Sequence, residues 1–135
     1  MIEYIKPILR NYISEYDNNF IGQDLDNYLD KVQKNAIMQV YLEEGQLVGF
    51  IFYYANDIEG DAFLTLVFVD PASKGKRIGK RLLESSINDI KEKSFKNYRL
   101  EVKKSNKGAI RLYESCGFVL EKDLGEKFIM NLNLS

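Results

Sequence analysis

Histidine is absent from this 135-residue chain, and there is a single cysteine, Cys116. Without histidine there is no Ser-His-Asp triad and no imidazole general base. One cysteine and no histidine exclude a zinc site of the usual nitrogen–sulfur kind. One cysteine also cannot close an internal disulfide, so a reducing, cytoplasmic setting is the default. No apolar run approaches the roughly 18 residues that a membrane span needs, so no membrane partner is expected. The start, Met1-Ile2-Glu3-Tyr4, lacks the basic-then-apolar pattern of a signal peptide. Internal repeats, low-complexity tracts and Pro/Gly-rich linkers are missing too, which predicts one domain over residues 1–135. Any catalysis falls to Tyr, Glu, Asp, Lys, Ser, backbone groups or the thiol. With no imidazole to activate it, Cys116 reads as a packing residue.

What is present is a sequence rich enough in apolar residues, at 45%, to bury a core. The formal net charge is only −1, but the charges segregate. Residues 1–70 carry 4 Lys/Arg against 12 Asp/Glu, and residues 71–135 carry 15 against 8. A basic half suits a polyanion, and an acidic half suits a cationic partner or a plain solvated surface. The basic residues gather at a glycine loop, without the signature of a nucleic-acid-binding module, so no nucleic-acid partner is predicted.

Periodicity orders the chain. Ile8, Leu9, Tyr12, Ile13 and Tyr16 predict a helix over Lys6–Tyr16, and Leu25, Tyr28, Leu29 and Val32 a second over Gln23–Asn35. Asn18 to Gly22, with Phe20, reads as the loop between them. The period then changes to two. Ala36–Leu42 and Leu47–Ala55 are strands joined by a turn at Glu43–Gln46. Ala62–Val69 follows a loop at Asn56–Asp61. It is apolar on both faces, which predicts a central strand ended by Pro71. A helix with Ile78, Leu82, Leu83, Ile87 and Ile90 on one stripe comes next. Then follow a strand at Tyr98–Lys103, a helix at Asn106–Ser115 stopped by Gly117, and a hairpin of Phe118–Glu121 with Lys127–Leu132 around Gly125. The order is ααβββαβαββ: an α/β (α+β) fold with a mixed central sheet flanked by helices.

The segment Val69 to Leu83 is a buried strand, a basic glycine-bearing loop and a helix start. Backbone N–H groups at such a start, flanked by lysines and arginines, suit a phosphate-bearing ligand. Within it, Lys74-Gly75-Lys76-Arg77-Ile78-Gly79-Lys80 resembles the acyl-CoA loop of the GNAT superfamily of N-acyltransferases. Lys74 stands for the usual Arg or Gln, and Arg77 for a usual glycine. At Arg77 an ordinary helical conformation with an added charge is expected, a displaced loop being the alternative. A second match is more extensive. Leu100 to Phe118, with Asn106, Leu112-Tyr113 and Gly117-Phe118, follows the family's strand–Asn–helix–Leu-Tyr–Gly-Phe signature. Together the two cover about residues 62–122, and they are similar to the ribosomal-protein alanine N-acetyltransferase branch.

The resemblance implies acetyl-CoA as co-substrate, no metal, and transfer of an acetyl group to a primary amine by direct attack in a ternary complex. It implies that the backbone of Val67, Phe68 and Val69 bonds the pantetheine arm and polarises the thioester carbonyl. Lys74, Gly75, Lys76, Arg77, Ile78, Gly79 and Lys80 would cradle the pyrophosphate. Asn106 would hold the arm, with Ala109 beside it; as an N-cap, Asn106 also has a purely structural use. Tyr113 would protonate the departing thiolate. No carboxylate lies on residues 62–69, so the base falls to Glu101, twelve residues before Tyr113, or to a water chain. A surface ion pair with Arg99 or Lys103 is the other reading of Glu101. Tyr28 and Tyr54 are candidates to orient the acceptor. A small molecule (amino sugar, amino acid or polyamine) is favoured over a protein N-terminus or lysine. A non-catalytic acyl-CoA-binding module is the contrasting class, and the pattern allows a homodimer.

Overall fold

A computed structural model of the chain describes residues 1–15, 25–56 and 60–135. The expectations for Tyr16, the loop at 18–22 with Phe20, the helix start at Gln23 and Asp24, and loop residues 57–59 lie outside these. Two compact units emerge, Met1–Ala36 and Ile37–Ser135.

The first unit is a helix pair, α1 (Ile2–Glu15) and α2 (Leu25–Asn35). α1 begins four residues earlier than its apolar spacing suggests and runs through Pro7. Ile5 and Leu9 of α1 and Leu29 and Val32 of α2 are buried. The three- and four-residue spacings put each pair on one helix face. Lys6 and Arg10 both reach Asp26 in the first turn of α2, where negative charge is favoured.

The second unit is a six-stranded sheet in the order β1-β2-β3-β4-β6-β5. Its strands are β1 (Ile37–Glu43), β2 (Gln46–Tyr54), β3 (Ala62–Val69), β4 (Asn97–Lys103), β5 (Val119–Asp123) and β6 (Lys127–Asn133). β1 and β2 form a two-residue hairpin in which Glu44 and Gly45 both take positive φ, 52° and 81°. That is the turn whose twist matches its flanking strands. All pairings are antiparallel except β3 with β4. The parallel pair needs a crossover, supplied by α3 (Ile78–Glu92).

α3 and α4 (Lys107–Ser115) share one face of the sheet. Ile78, Leu82, Leu83 and Ile90 of α3 pack with Val48, Ile51, Tyr53, Leu64, Tyr98, Leu100, Val102, Tyr113, Phe118 and Met130 into one core. Gly49 makes the approach of α3 feasible: a Cβ there would lie 3.0 Å from Ile78 Cγ2 and 3.1 Å from the Phe68 carbonyl oxygen. On the other face Phe50 stacks on Phe52 and Phe68, with ring centroids 5.2 and 4.9 Å apart. β3 is central, as its two apolar faces predict.

Candidate active site

Two irregularities in β3 build the site. Phe52 of β2 faces Leu66, but Tyr53 faces Leu64, so Thr65 is an extra residue in β3. Such a bulge bends a strand and shifts its side chains by one place. Before it, Ala62 and Leu64 point into the α3–α4 core; after it, Val67 and Val69 do. At the same level β3 and β4 part. Their register runs from Ala62 opposite Tyr98 to Leu64 opposite Leu100 and stops there. Beyond it, Thr65–Val69 of β3 and Glu101–Lys103 of β4 bound a gap.

This gap opens at the carboxyl ends of two parallel strands. Each strand leads into a helix N-terminus, β3 into α3 and β4 into α4. In open α/β sheets this is where ligands sit, because helix starts offer backbone N–H groups and a favourable dipole. The ends converge in space. A Cβ at Gly79 of α3 would lie 3.4 Å from Leu112 Cδ2 of α4 and 3.5 Å from Val69 Cγ2 of β3.

The loop between β3 and α3 is shaped by local bonds. Asp70 Oδ1 accepts from the Ala72 N–H at 3.0 Å and starts a 3-10 turn at Pro71–Ser73. Gly75 takes φ +90°. Arg77, the residue before α3, adopts φ 62° and ψ 24° and gives the helix no side-chain cap. The expected ordinary helical conformation at Arg77 is therefore wrong. The loop keeps the left-handed geometry that a glycine takes freely, and an arginine bears it. Such a conformation costs a non-glycine residue roughly 1–3 kcal/mol. The first-turn N–H groups of Ile78, Gly79 and Lys80 are those a helix leaves without internal acceptors. Lys74, Gly75, Lys76 and Arg77 are exposed around them, and Ile78 is buried as the anchor. Lys76 reaches Glu43 at 2.9 Å. The set suits a polyanion such as a pyrophosphate: open amides, an adjacent positive-φ glycine and several cations.

α4 is capped by Asn106, whose Oδ1 accepts from the Ala109 N–H at 3.2 Å. That bond takes up the Ala109 amide, and Asn106 itself is exposed. Gly117, at φ +100°, ends the helix. Cys116 is half-buried at the C-cap, and burial pushes its thiol up, away from a thiolate.

Three of the described tyrosines, Tyr53, Tyr98 and Tyr113, are buried in the core, and their hydroxyls differ. Tyr53 accepts from Gln39 at 2.7 Å and donates to Asp89 at 2.6 Å. Tyr98 donates to Ser86 at 3.0 Å. Both phenols are shifted up, Tyr53 by burial and then by Asp89, Tyr98 by burial. Tyr113 packs its ring against Phe118 with centroids 5.9 Å apart. Its hydroxyl has no hydrogen bond among the described residues, and burial alone pushes it up to about 12. Tyr113 is the one buried tyrosine of the three whose proton is not already committed.

Glu101 lies elsewhere. Tyr98, Leu100 and Val102 point into the core, so Arg99, Glu101 and Lys103 point to the opposite face. Glu101 and Tyr113 thus occupy opposite faces of the sheet. Glu101 is the first β4 residue past the parting, exposed, with Lys127 Nζ at 3.9 Å. Arg99 is not its partner: it is bound by Glu121 through two bonds of 2.8 Å and by Asp61. Tyr54 pairs with Phe63 at the closed end, whereas Val69 pairs with Gly49 at the open end. Six residues of strand, about 20 Å, separate Tyr54 from the open Val69 end, but Phe63 in turn pairs with Arg99, so the level of Tyr54 is only two residues of strand from that of Glu101. Tyr28 is half-buried on α2 in the other unit. Sequence reading missed Lys127, which only the β4–β6 register brings beside Glu101. It also missed Thr65, because a bulge leaves no mark in an unbroken β-forming run.

Among the described residues, no group of three or more His, Cys, Asp or Glu is placed to hold a metal ion. No described helix is long and apolar enough to cross a membrane.

Similarity to known proteins was consistent with this geometry. The chain is 30% identical over 109 residues to the [ribosomal protein bS18]-alanine N-acetyltransferase of Salmonella typhimurium, covering 76% of this chain and 62% of that protein. It is 35% identical over 97 residues to the spermine/spermidine N(1)-acetyltransferase of Bacillus subtilis, covering 64% of each. The chain thus spans a little under two thirds of the length of these curated relatives. Among solved structures, the PaiA N-acetyltransferase of Thermoplasma acidophilum in complex with coenzyme A superposes with a TM-score of 0.71 at 26% identity, over 97% of this chain and 78% of that one. The model of the Acetyltransferase (GNAT) family matches residues 5–118, which takes in the parted strands, the glycine loop and both helix starts; the chain belongs to that family.

Proposed function

We propose that the chain acts as one domain over residues 1–135, an N-acetyltransferase that moves an acetyl group from acetyl-CoA to a primary amine in the cytoplasm. A small-molecule acceptor is the favoured class. The observation that carries this reading is the parting of β3 and β4 between two helix N-termini. The coenzyme A complex of the Thermoplasma relative supports the choice of co-substrate. The bacterial relatives that act on a spermine or a ribosomal-protein alanine support an amine acceptor.

Acetyl-CoA supplies the activated acyl group as a thioester. The amine lone pair attacks the carbonyl carbon in a ternary complex; a C–N bond forms, the C–S bond breaks, and the sulfur leaves as a thiolate. The loop from Lys74 to Lys80 holds the pyrophosphate with open amides and cations. The backbone of Val67–Val69, on the strand edge bordering the gap, bonds the pantetheine arm and polarises the carbonyl. The Asn106 amide nitrogen holds the arm from the α4 side. Glu101, where β3 and β4 part, takes the amine proton directly or through one water.

Tyr113 serves the leaving group from the other face. At about 12 its phenol is protonated at any working pH. A thiol titrates near 8.5, so complete transfer of the Tyr113 proton to the sulfur is uphill by roughly 5 kcal/mol. Its contribution is therefore a hydrogen bond donated to the sulfur as charge builds there, with the net proton coming from the amine.

The test is thiol release by purified protein given acetyl-CoA and a panel of amines. Amine-dependent release is the expected result. No release with any amine, while coenzyme A still binds, would make the protein a binding module. Glu101→Gln is expected to lower the rate at least tenfold and flatten the acidic limb of the pH–rate profile; an unchanged profile removes Glu101 as the base.

A further inference from the structure

Gln39, Tyr41 and Glu43, alternate residues of β1, each bond α3 or the loop before it. Gln39 Oε1 accepts from the Ser85 hydroxyl at 2.5 Å, Tyr41 accepts from Arg81 at 3.0 Å, and Glu43 Oε1 takes the Lys76 ammonium at 2.9 Å. Alternate residues share one face of a strand, so this is a single row of side chains. It runs along α3 from Ser85 to Arg81 and ends on the glycine loop at Lys76. The backbone makes a second tie at the same end. Tyr41 faces Gly49 but Leu42 faces Leu47, so Val48 is an extra residue in β2. Its carbonyl accepts from the Asp70 N–H at 2.8 Å, where the loop begins. Glu43 is thereby held beside the loop by the strand that carries it.

Lys76 differs from the other cations of this loop. Among the described residues, Lys74, Arg77 and Lys80 have no carboxylate at ion-pair distance, whereas Lys76 has Glu43. Both side chains of the pair are partly exposed, so it contributes little to stability. Its consequence is for a ligand. An ammonium already shared with a carboxylate gives less to a phosphate, and the carboxylate repels a polyanion held by the same loop.

We propose that Glu43 is a positioning residue of the cofactor site: it competes with the pyrophosphate for Lys76 and so sets how tightly coenzyme A is held. This deepens the acetyl-transfer reading and rests on it for the pyrophosphate at Lys74–Lys80. Acetyl-CoA and coenzyme A carry the same pyrophosphate. Grip there is equal before and after transfer, so it adds nothing to the chemical step and slows departure of the product. A carboxylate that shares one of the loop's cations lightens that grip on both.

Calorimetry tests this in a double-mutant cycle of Glu43→Gln and Lys76→Gln. The probes are coenzyme A and pantetheine, which lacks the pyrophosphate. Glu43→Gln is expected to bind coenzyme A about three- to fivefold tighter than the parent at low salt, with the gain fading as salt rises. The gain is expected to shrink when Lys76 is also replaced, and pantetheine binding to stay unchanged. A purely structural role for Glu43 would loosen the loop and weaken binding instead. Binding no tighter in Glu43→Gln, a gain of equal size without Lys76, or a gain shared by pantetheine overturns the proposal and leaves acetyl transfer in place. Failure of the parent and every variant to bind coenzyme A would reject the cofactor placement, and this proposal with it.

Discussion

β4 treats its two neighbours differently. With β6 it keeps register over seven residues, Asn97 to Lys103; with β3 it keeps register over three and then lets go. On the β6 side, backbone groups are spent on holding the sheet together. On the β3 side, past Leu64 and Leu100, the sheet gives up strand pairing where the parallel strands end and two helices begin. A lost ladder costs stability, since buried backbone groups need partners. Its position between two helix N-termini, which offer backbone N–H groups, is what the proposed function draws on. The buried tyrosines show the same division. Tyr53 and Tyr98 close hydrogen bonds within the fold, and Tyr113 leaves its hydroxyl open.

The sharpest way to separate the open elements from the closed ones is a pair of single-atom deletions. Tyr113→Phe is expected to lower kcat about 100-fold while coenzyme A affinity and Tm stay near those of the parent, because no folded-state hydrogen bond is lost. Tyr98→Phe is expected to do the reverse, costing about 1 kcal/mol of stability for the Ser86 bond with turnover kept. Thiol-release kinetics and denaturant melts of both variants check this. A Tyr98→Phe protein that loses turnover while Tyr113→Phe does not would invert the comparison.

Alkaline titration probes the same pair more gently. The Tyr113 phenol is raised from 10 to about 12 in the folded state. The unfolded chain therefore releases this proton first, and stability present below pH 10 is lost as pH rises towards 12. For Tyr113 the loss is on the order of 2–3 kcal/mol. Tyr53 and Tyr98 are raised too and add to the fall. Melts from pH 9 to 12 are expected to show a shallower decline in Tyr113→Phe; an identical decline would mean that the Tyr113 hydroxyl is not shielded.

The smallest expected effect is at the loop. Arg77→Gly relieves a left-handed conformation and is expected to stabilise the fold by roughly 0.5–1 kcal/mol. It is also expected to weaken coenzyme A binding several-fold and flatten its salt dependence, since a cation is lost. Calorimetry at two salt concentrations beside a thermal melt reads both. Stability and affinity moving in the same direction would break the distinction between strain borne for a ligand and strain borne for nothing.

The element order was legible because each element announced itself locally. Apolar spacing marked the α3 stripe, the unbroken apolar run marked β3 as central, and Asn106 and Gly117 bracketed α4. The site was legible only as a set of residue types at known places. Its geometry depends on register, and register is a relation between strands that no single segment encodes. The Thr65 bulge and the parting after Leu64 lie inside a smooth β-forming run. The placement of Lys127 beside Glu101 depends on β6 inserting between β4 and β5. Arg77 was misjudged because local propensity disfavours left-handed arginine, whereas the loop, with Gly75 and the buried Ile78 on either side, holds the backbone there.

Under the proposed function, the gap between β3 and β4 would also couple the protein's survival to its ligand. A molecule that bonds the parted edges in the native state, and has no affinity for the unfolded chain, shifts the folding equilibrium by mass action. At a hundred times its dissociation constant it adds about 2.7 kcal/mol. Turnover in a cell by proteolysis would then track coenzyme A supply, with the chain persisting when the pool is full and being cleared when it is drained.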